Sequence, residues 1–306
     1  MRSRFRKLLP PLLIATLCLA LARDVQAGPL KIITTTTDLA SIAAAIGGDK
    51  VDVQALVPGG FNADFYDPRP SDLFKIHRAR LFVQVGLGLE EWARDLVNEA
   101  NNADLIKADV SYQVPLLDIP KGRVDYSFGD IHPYGNPHYQ LDPEAGRVVA
   151  RNIFNALAYA DPANKDYFAS NLAAFDQRLT GAEAKWRQQM APYAGTKFIP
   201  YHESWDYFAR AFNLRIPGTI ESKPGFVPSP ARVQEVVELA KREGVKVIVT
   251  EPYYEVSIAQ LIAEQAGIPL LNLTIDVGGT PEQKDYISMI DYVVARFVAA
   301  LSGHAG

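Results

Sequence analysis

The chain has 306 residues, 48% of them hydrophobic and 22% charged, with a net charge of −4, five histidines and one cysteine. That length suits two domains of ordinary size, and the acidic balance argues against nucleic acid or an anionic membrane as a partner while leaving a cation admissible. The cysteine, Cys18, lies in an N-terminal leader, so the mature protein is expected to have no disulfide, thiolate ligand or cysteine nucleophile.

The leader reads as a signal peptide over residues 1–27. Arg2, Arg4, Arg6 and Lys7 precede an apolar run from Leu8 to Ala22, followed by Val25-Gln26-Ala27 with small side chains where a signal peptidase reads. The run is short for a membrane span and is interrupted by Pro10 and Pro11. Leu17 before Cys18 is too large for a lipid-attachment site. Cleavage before Gly28 is expected, releasing a monomer without stable membrane insertion into the periplasm.

Along the mature chain, short β-branched runs alternate with longer amphipathic ones, the signature of an α/β fold with parallel strands. In the first lobe (28–161), strands are predicted at Lys31 to Thr35, Val51 to Leu56, Leu81 to Val85 and Leu105 to Lys107. Helices are predicted at Asp38 to Ile46, Ser71 to Arg78, Glu90 to Ala100 and Pro143 to Tyr159. From Pro162 the apolar residues Phe168, Leu172, Phe175 and Leu179 recur at spacings of four, three and four, which predicts one long connecting helix over 162–191. The second lobe (192–306) repeats the scheme, with strands at Lys197 to Pro200, Leu214 to Pro217, Val245 to Thr250 and Leu270 to Leu273. Its helices are expected at Trp205 to Phe212, Ser229 to Glu243 and Ser257 to Ala266. A last helix is expected to start at Thr280-Pro281-Glu282-Gln283, in capping-box spacing. The expected architecture is therefore two lobes, each a four-stranded parallel sheet flanked by helices, joined by one rigid helix.

Open parallel sheets bind ligands beyond the carboxyl ends of their strands. Four candidate side chains fall there: Asp64, His138, His202 and Asp276, one carboxylate and one imidazole from each lobe. Two neutral imidazoles and two carboxylates suit a four-coordinate divalent metal. Any one of them alone is more simply a solvated or capping residue; their shared placement carries the inference.

The segment Gly60 to Asp72, Gly-Phe-Asn-Ala-Asp-Phe-Tyr-Asp-Pro-Arg-Pro-Ser-Asp, resembles the first metal-loop motif of the zinc and manganese class of solute-binding proteins of ABC importers. Gly86 to Glu90, Asn136 to Pro143, Tyr201 to Phe208, Glu251-Pro252 and Asp276 resemble that family's later blocks in order. The resemblance spans essentially the whole mature chain. It implies capture of a divalent ion as cargo and delivery to a membrane permease, without enzymatic activity. It also implies that His138, His202 and Asp276 are ligands. Histidine at position 202 points to Zn2+ rather than Mn2+ or Fe2+ as the cargo.

The first ligand position departs from the family, with Asp64 where histidine is usual. Either Asp64 binds directly or His132, six residues before His138, stands in for the missing imidazole; Asp64 is favoured because backbone placement is harder to change than a loop. Glu203 and Glu251 are candidates to orient an imidazole. Tyr66, Tyr139, Tyr253 and Tyr254 are expected to wall the cleft or pack between the lobes. His77 and His304 are expected to have no metal role. Two rival functions stay open: a secreted zinc hydrolase, which needs an open coordination position, and a binder of an organic solute, which leaves the paired histidines and aspartates unexplained.

Overall fold

Parallel strands need cover on both faces, and the most apolar runs of this chain receive it. The computed structural model describes residues 28–122 and 132–303. The leader with Cys18, and His304, lie outside the described residues. The first sheet is built from β1 (Leu30–Thr34), β2 (Val51–Ala55), β3 (Leu81–Gln84) and β4 (Ile106–Asp109). Their order is β2-β1-β3-β4, all parallel. Helices α1 (Thr37–Gly47), α2 (Pro70–His77), α3 (Glu91–Glu99) and α4 (Pro143–Ala160) belong to it. Two apolar clusters cover its faces, one centred on Ile32, Ile42 and Val83, the other on Ile33, Ile76 and Phe82. The alternation of Ile32 and Ile33 between them is the two-residue period of a strand.

The second sheet contains β5 (Phe198–Pro200), β6 (Val247–Thr250) and β7 (Leu270–Asn272), parallel and in that order. Its helices are α6 (Asp206–Ala211), α7 (Pro230–Glu243) and α8 (Val256–Ala266). The fourth strand expected at Leu214 to Pro217 is reduced to one bridge between Lys197 and Arg215. Pro217 has no N–H to give a ladder, and the chain rejoins β5 only where Ile220 and Glu221 donate to the carbonyls of Pro200 and Tyr201.

Helix α5 (Lys165–Met190) connects the lobes, with Phe168, Phe175, Leu179, Trp186 and Met190 buried. The final helix, α9 (Tyr286–Leu301), lies against it. Asp291 of α9 accepts hydrogen bonds from Lys185 at 2.8 Å and from the Trp186 indole at 2.9 Å, both on α5. One apolar cluster runs through α5 and α9 from Ile32 and Val83 of the first sheet to Phe198, Val249 and Leu271 of the second. Relative motion of the sheets would disturb this shared packing, so the interior resists hinge bending.

The start expected for the last helix is corrected. Asp285 caps α9 through the Ser288 N–H, and the Ser288 hydroxyl accepts from the Asp285 N–H in return. Gln283 is drawn instead into the second lobe, where its amide donates to the Thr274 carbonyl at 2.8 Å and its oxygen accepts from the Thr274 hydroxyl at 2.6 Å. These bonds fix the turn after Leu273, which carries Asp276. No helix among the described residues is long and apolar enough to cross a membrane.

Candidate metal centre

Each side chain of the centre is aimed by local backbone chemistry. Asp64 sits in the loop after β2, held by an Asx-type bond from its own N–H to Asn62 Oδ1 at 2.9 Å. The Trp92 indole anchors the same loop by donating to the Ala63 carbonyl at 2.9 Å. At Gly59 a Cβ would lie 2.3 Å from the Val277 carbonyl oxygen, so glycine lets this loop press against the second lobe. His138 precedes α4 and is positioned by Asn136, whose Oδ1 accepts from the His138 N–H at 2.9 Å. The Asn136 amide donates across the cleft to the Glu203 carbonyl at 2.8 Å. His202 follows β5.

The structure brings together His132, His138 and His202: one ring nitrogen of each lies within 4.8 Å of the other two. His138 Nε2 and His202 Nε2 are 3.2 Å apart. Asp64 Oδ1 approaches His132 Nε2 to 3.3 Å and His138 Nε2 to 3.9 Å. Apart from their close approach to each other, Asp64 Oδ1 and His132 Nε2 are buried with no hydrogen-bond partner among the described residues. Neither Asp64 nor Asp276 is part of that three-histidine group; Asp276 Oδ2 accepts from the Gly60 N–H at 3.2 Å. Thus Asp64 and His132, alternatives in the sequence, stand side by side.

The orienting partner of His202 is Glu221, whose Oε2 lies 2.9 Å from His202 Nδ1 and leaves Nε2 facing the cluster. Sequence reasoning missed it; the only available signal was a carboxylate following the Leu214 to Pro217 run. Of the residues expected in that role, Glu203 is exposed, and Glu251 is buried, accepting from the Trp205 indole at 2.8 Å. Glu221→Gln is expected to weaken metal binding by about ten- to a hundredfold, measured by competition with a chromogenic chelator.

Tyr139 is buried with its hydroxyl on the Val85 carbonyl, and Tyr66 donates to Asp72. Tyr254 packs beside His202, with ring centroids 5.9 Å apart, and stacks on Tyr201. His77 lies at the surface, its Nδ1 2.8 Å from the Ala100 carbonyl.

Electrostatics divide the two facing imidazoles. Burial pulls His138 down to about 3, with Asp64 opposing and the other two histidines adding. Burial also disfavours charge on His202, but the Glu221 hydrogen bond and the charges of Asp64, Glu221 and Glu251 reverse this and raise it to about 9. Burial likewise opposes ionisation of Asp64, yet His138 and the other imidazoles hold it below the usual carboxylate range. Near neutral pH the pocket therefore keeps a proton on His202, between its Nε2 and that of His138. A metal ion must displace that proton, so affinity should rise about tenfold per pH unit up to about pH 9 and fall by the same factor on acidification. Calorimetry at pH 7 in buffers of different ionisation enthalpy should show about one proton released per ion; proton-neutral binding would contradict this assignment.

A family match covers residues 32–300, the periplasmic component A of the zinc-uptake complex. The chain belongs to this ZnuA family. A crystal structure of ZnuA superposes with a TM-score of 0.78 at 27% identity, covering 89% of this chain and 99% of that one. Among curated relatives, the metal ABC transporter substrate-binding lipoprotein FimA of Streptococcus parasanguinis is 27% identical over 287 residues, 90% of either chain. The manganese ABC transporter substrate-binding lipoprotein PsaA of Streptococcus pneumoniae is 27% identical over 285 residues, 89% of either chain. The family is one of solute-binding proteins, and the ZnuA structure and the manganese-named PsaA are each 27% identical to this chain.

Proposed function

We propose that this ZnuA-family protein captures one divalent transition-metal ion, zinc by preference, and delivers it to the permease of an ABC importer. Asp64, His132, His138 and His202 serve as the ligands. The observation that carries this reading is the spacing of the cluster. Zinc bonds of about 2.0–2.1 Å arranged tetrahedrally place neighbouring ligand atoms roughly 3.3 Å apart. Two separations here, 3.2 Å between His138 and His202 and 3.3 Å between Asp64 and His132, are close to that edge, and Asp64 to His138 at 3.9 Å is longer, so the side chains would draw in around an ion. Three imidazoles and one carboxylate suit zinc better than manganese, which favours oxygen donors and higher coordination.

Asp64 Oδ1 and His132 Nε2, which have no hydrogen bond among the described residues, support the same set, because a buried polar atom without a hydrogen bond is unfavourable unless a ligand satisfies it. The ion is cargo, and capture is placed in the periplasm after removal of residues 1–27, consistent with the family's periplasmic description. Metal analysis of the purified protein after zinc loading should give one zinc per chain, and zinc should raise the melting temperature. At free zinc a thousandfold above Kd the expected stabilisation is about 4 kcal/mol. A chain that takes up no zinc and shows no melting shift would remove the proposal.

A further inference from the structure

The ligand set is enclosed: His138 and His202 are buried, and the side chains of Asp64 and His132 are only 6% and 10% exposed. Parting the lobes to admit an ion would break the apolar cluster that spans both sheets, so exchange needs a local path. A cavity of about 40 Å³, bordered by Asp64, His138 and Asp276, adjoins the cluster. A second cavity, of about 300 Å³, lies between Phe65 of the first lobe and Phe226 and Val227 of the second, all three exposed. Two residues line both cavities, Asn62 and Tyr253. Asn62, from the first lobe, accepts from the Asp64 N–H; Tyr253, from the second, sets its ring edge-on to Tyr254 at 4.9 Å, and Tyr254 packs beside His202. The partition is thus fastened to a ligand on each side.

The outer cavity also touches the cluster through Glu221, the partner of His202. Glu221 and Glu255 are its charged lining residues, with no lysine or arginine among the described residues. Carboxylates between apolar walls raise the local concentration of cations. A dication carrying about six waters of roughly 30 Å³ each fills about 180 Å³. The outer cavity admits such an ion and the inner one does not, so water must be shed between them.

We propose that the outer cavity is the path by which a hydrated divalent ion enters and leaves the centre, and that Tyr253, with Asn62, is the barrier at which it loses its water. The proposal rests on the capture reading and adds the residue that sets the exchange rate. Asn62 is held by its bond to Asp64, so the Tyr253 ring is the part that turns aside. A group in the path alters the barrier in both directions and leaves the free and bound end states, hence the affinity, nearly unchanged.

Stopped-flow mixing of the full mature chain with zinc, and of the zinc-loaded chain with excess chelator, reads both rate constants. Tyr253→Ala should raise both about tenfold and leave Kd within about threefold. Glu255→Gln, at the exposed end, should slow association about twofold or more at low salt and lose that effect at high salt. Unchanged rates in Tyr253→Ala overturn the proposal, as does a raised Kd with unchanged association, which would make Tyr253 a support of the ligand set. Acceleration by Tyr134→Ala instead, at the exposed ring on the loop of His132, would put the path there and overturn it too. Should Tyr253→Ala fail to fold, Glu255→Gln decides alone, and an association rate equal to wild type at low salt overturns the path. These failures in a chain that still binds zinc leave the capture reading standing; a wild-type chain that binds no zinc overturns both.

Discussion

Replacing His202 with alanine is expected to weaken zinc binding by more than about a hundredfold, beyond the range expected for losing only an orienting partner, and His138→Ala should do the same. Each supplies a nitrogen at the 3.2 Å contact in the centre of the cluster. Each is buried, so no mobile surface group can replace it. Loss of His202 also strands Glu221, whose carboxylate is 6% exposed and would lose its imidazole partner. His77→Ala is the internal control, since that ring braces the Ala100 carbonyl at the surface and should leave affinity alone. Competition titrations against a calibrated chelator read all three variants, and equal losses in all three would show that placement at the cleft does not decide binding.

Asp64→Ala and His132→Ala should each weaken zinc strongly, by about tenfold to a hundredfold or more, because the two side chains form one edge of the ligand set. Their losses should also be non-additive, as expected of residues that hold one ion together. Asp64→Ala should shift the protein toward softer ions, and His132→Ala toward manganese, since one removes the only carboxylate of the set and the other an imidazole. A silent His132→Ala would return the ligand set to the one read from strand ends, with Asp276 in place of His132.

Much of this architecture was legible in the sequence because helices and parallel strands are encoded by local periodicity. The connecting helix was expected over 162–191 and α5 occupies Lys165–Met190, with Phe168, Phe175 and Leu179 buried as their spacing required. The second sheet lost its fourth strand where Pro217 interrupts the ladder, and α9 began at Tyr286 because Gln283 is recruited by Thr274. The first departure has a local cause, the missing Pro217 N–H; the second comes from a tertiary contact that no short window carries.

The centre was legible in the same graded way. His138, His202 and Asp64 could be located from strand ends, and His132 was weighed only as a substitute. Its place beside Asp64, and the role of Glu221, depend on how loops meet across the cleft. Asp276 was expected as a ligand, yet its carboxylate faces the Gly60 N–H and the neighbouring cavity. On the proposed ligand set, the aspartate at the position where the family usually has histidine goes with a third imidazole from the loop that carries His132.

Four protein ligands would close the coordination sphere of zinc, as suits capture; a hydrolytic site keeps a position for water. Zinc-edge X-ray absorption of the protein loaded with one equivalent of zinc reads that sphere directly. The account predicts one zinc per chain, bound to three imidazoles and one oxygen at about 2.0 Å. A spectrum requiring only two imidazoles, or additional water oxygens in an open sphere, would contradict it.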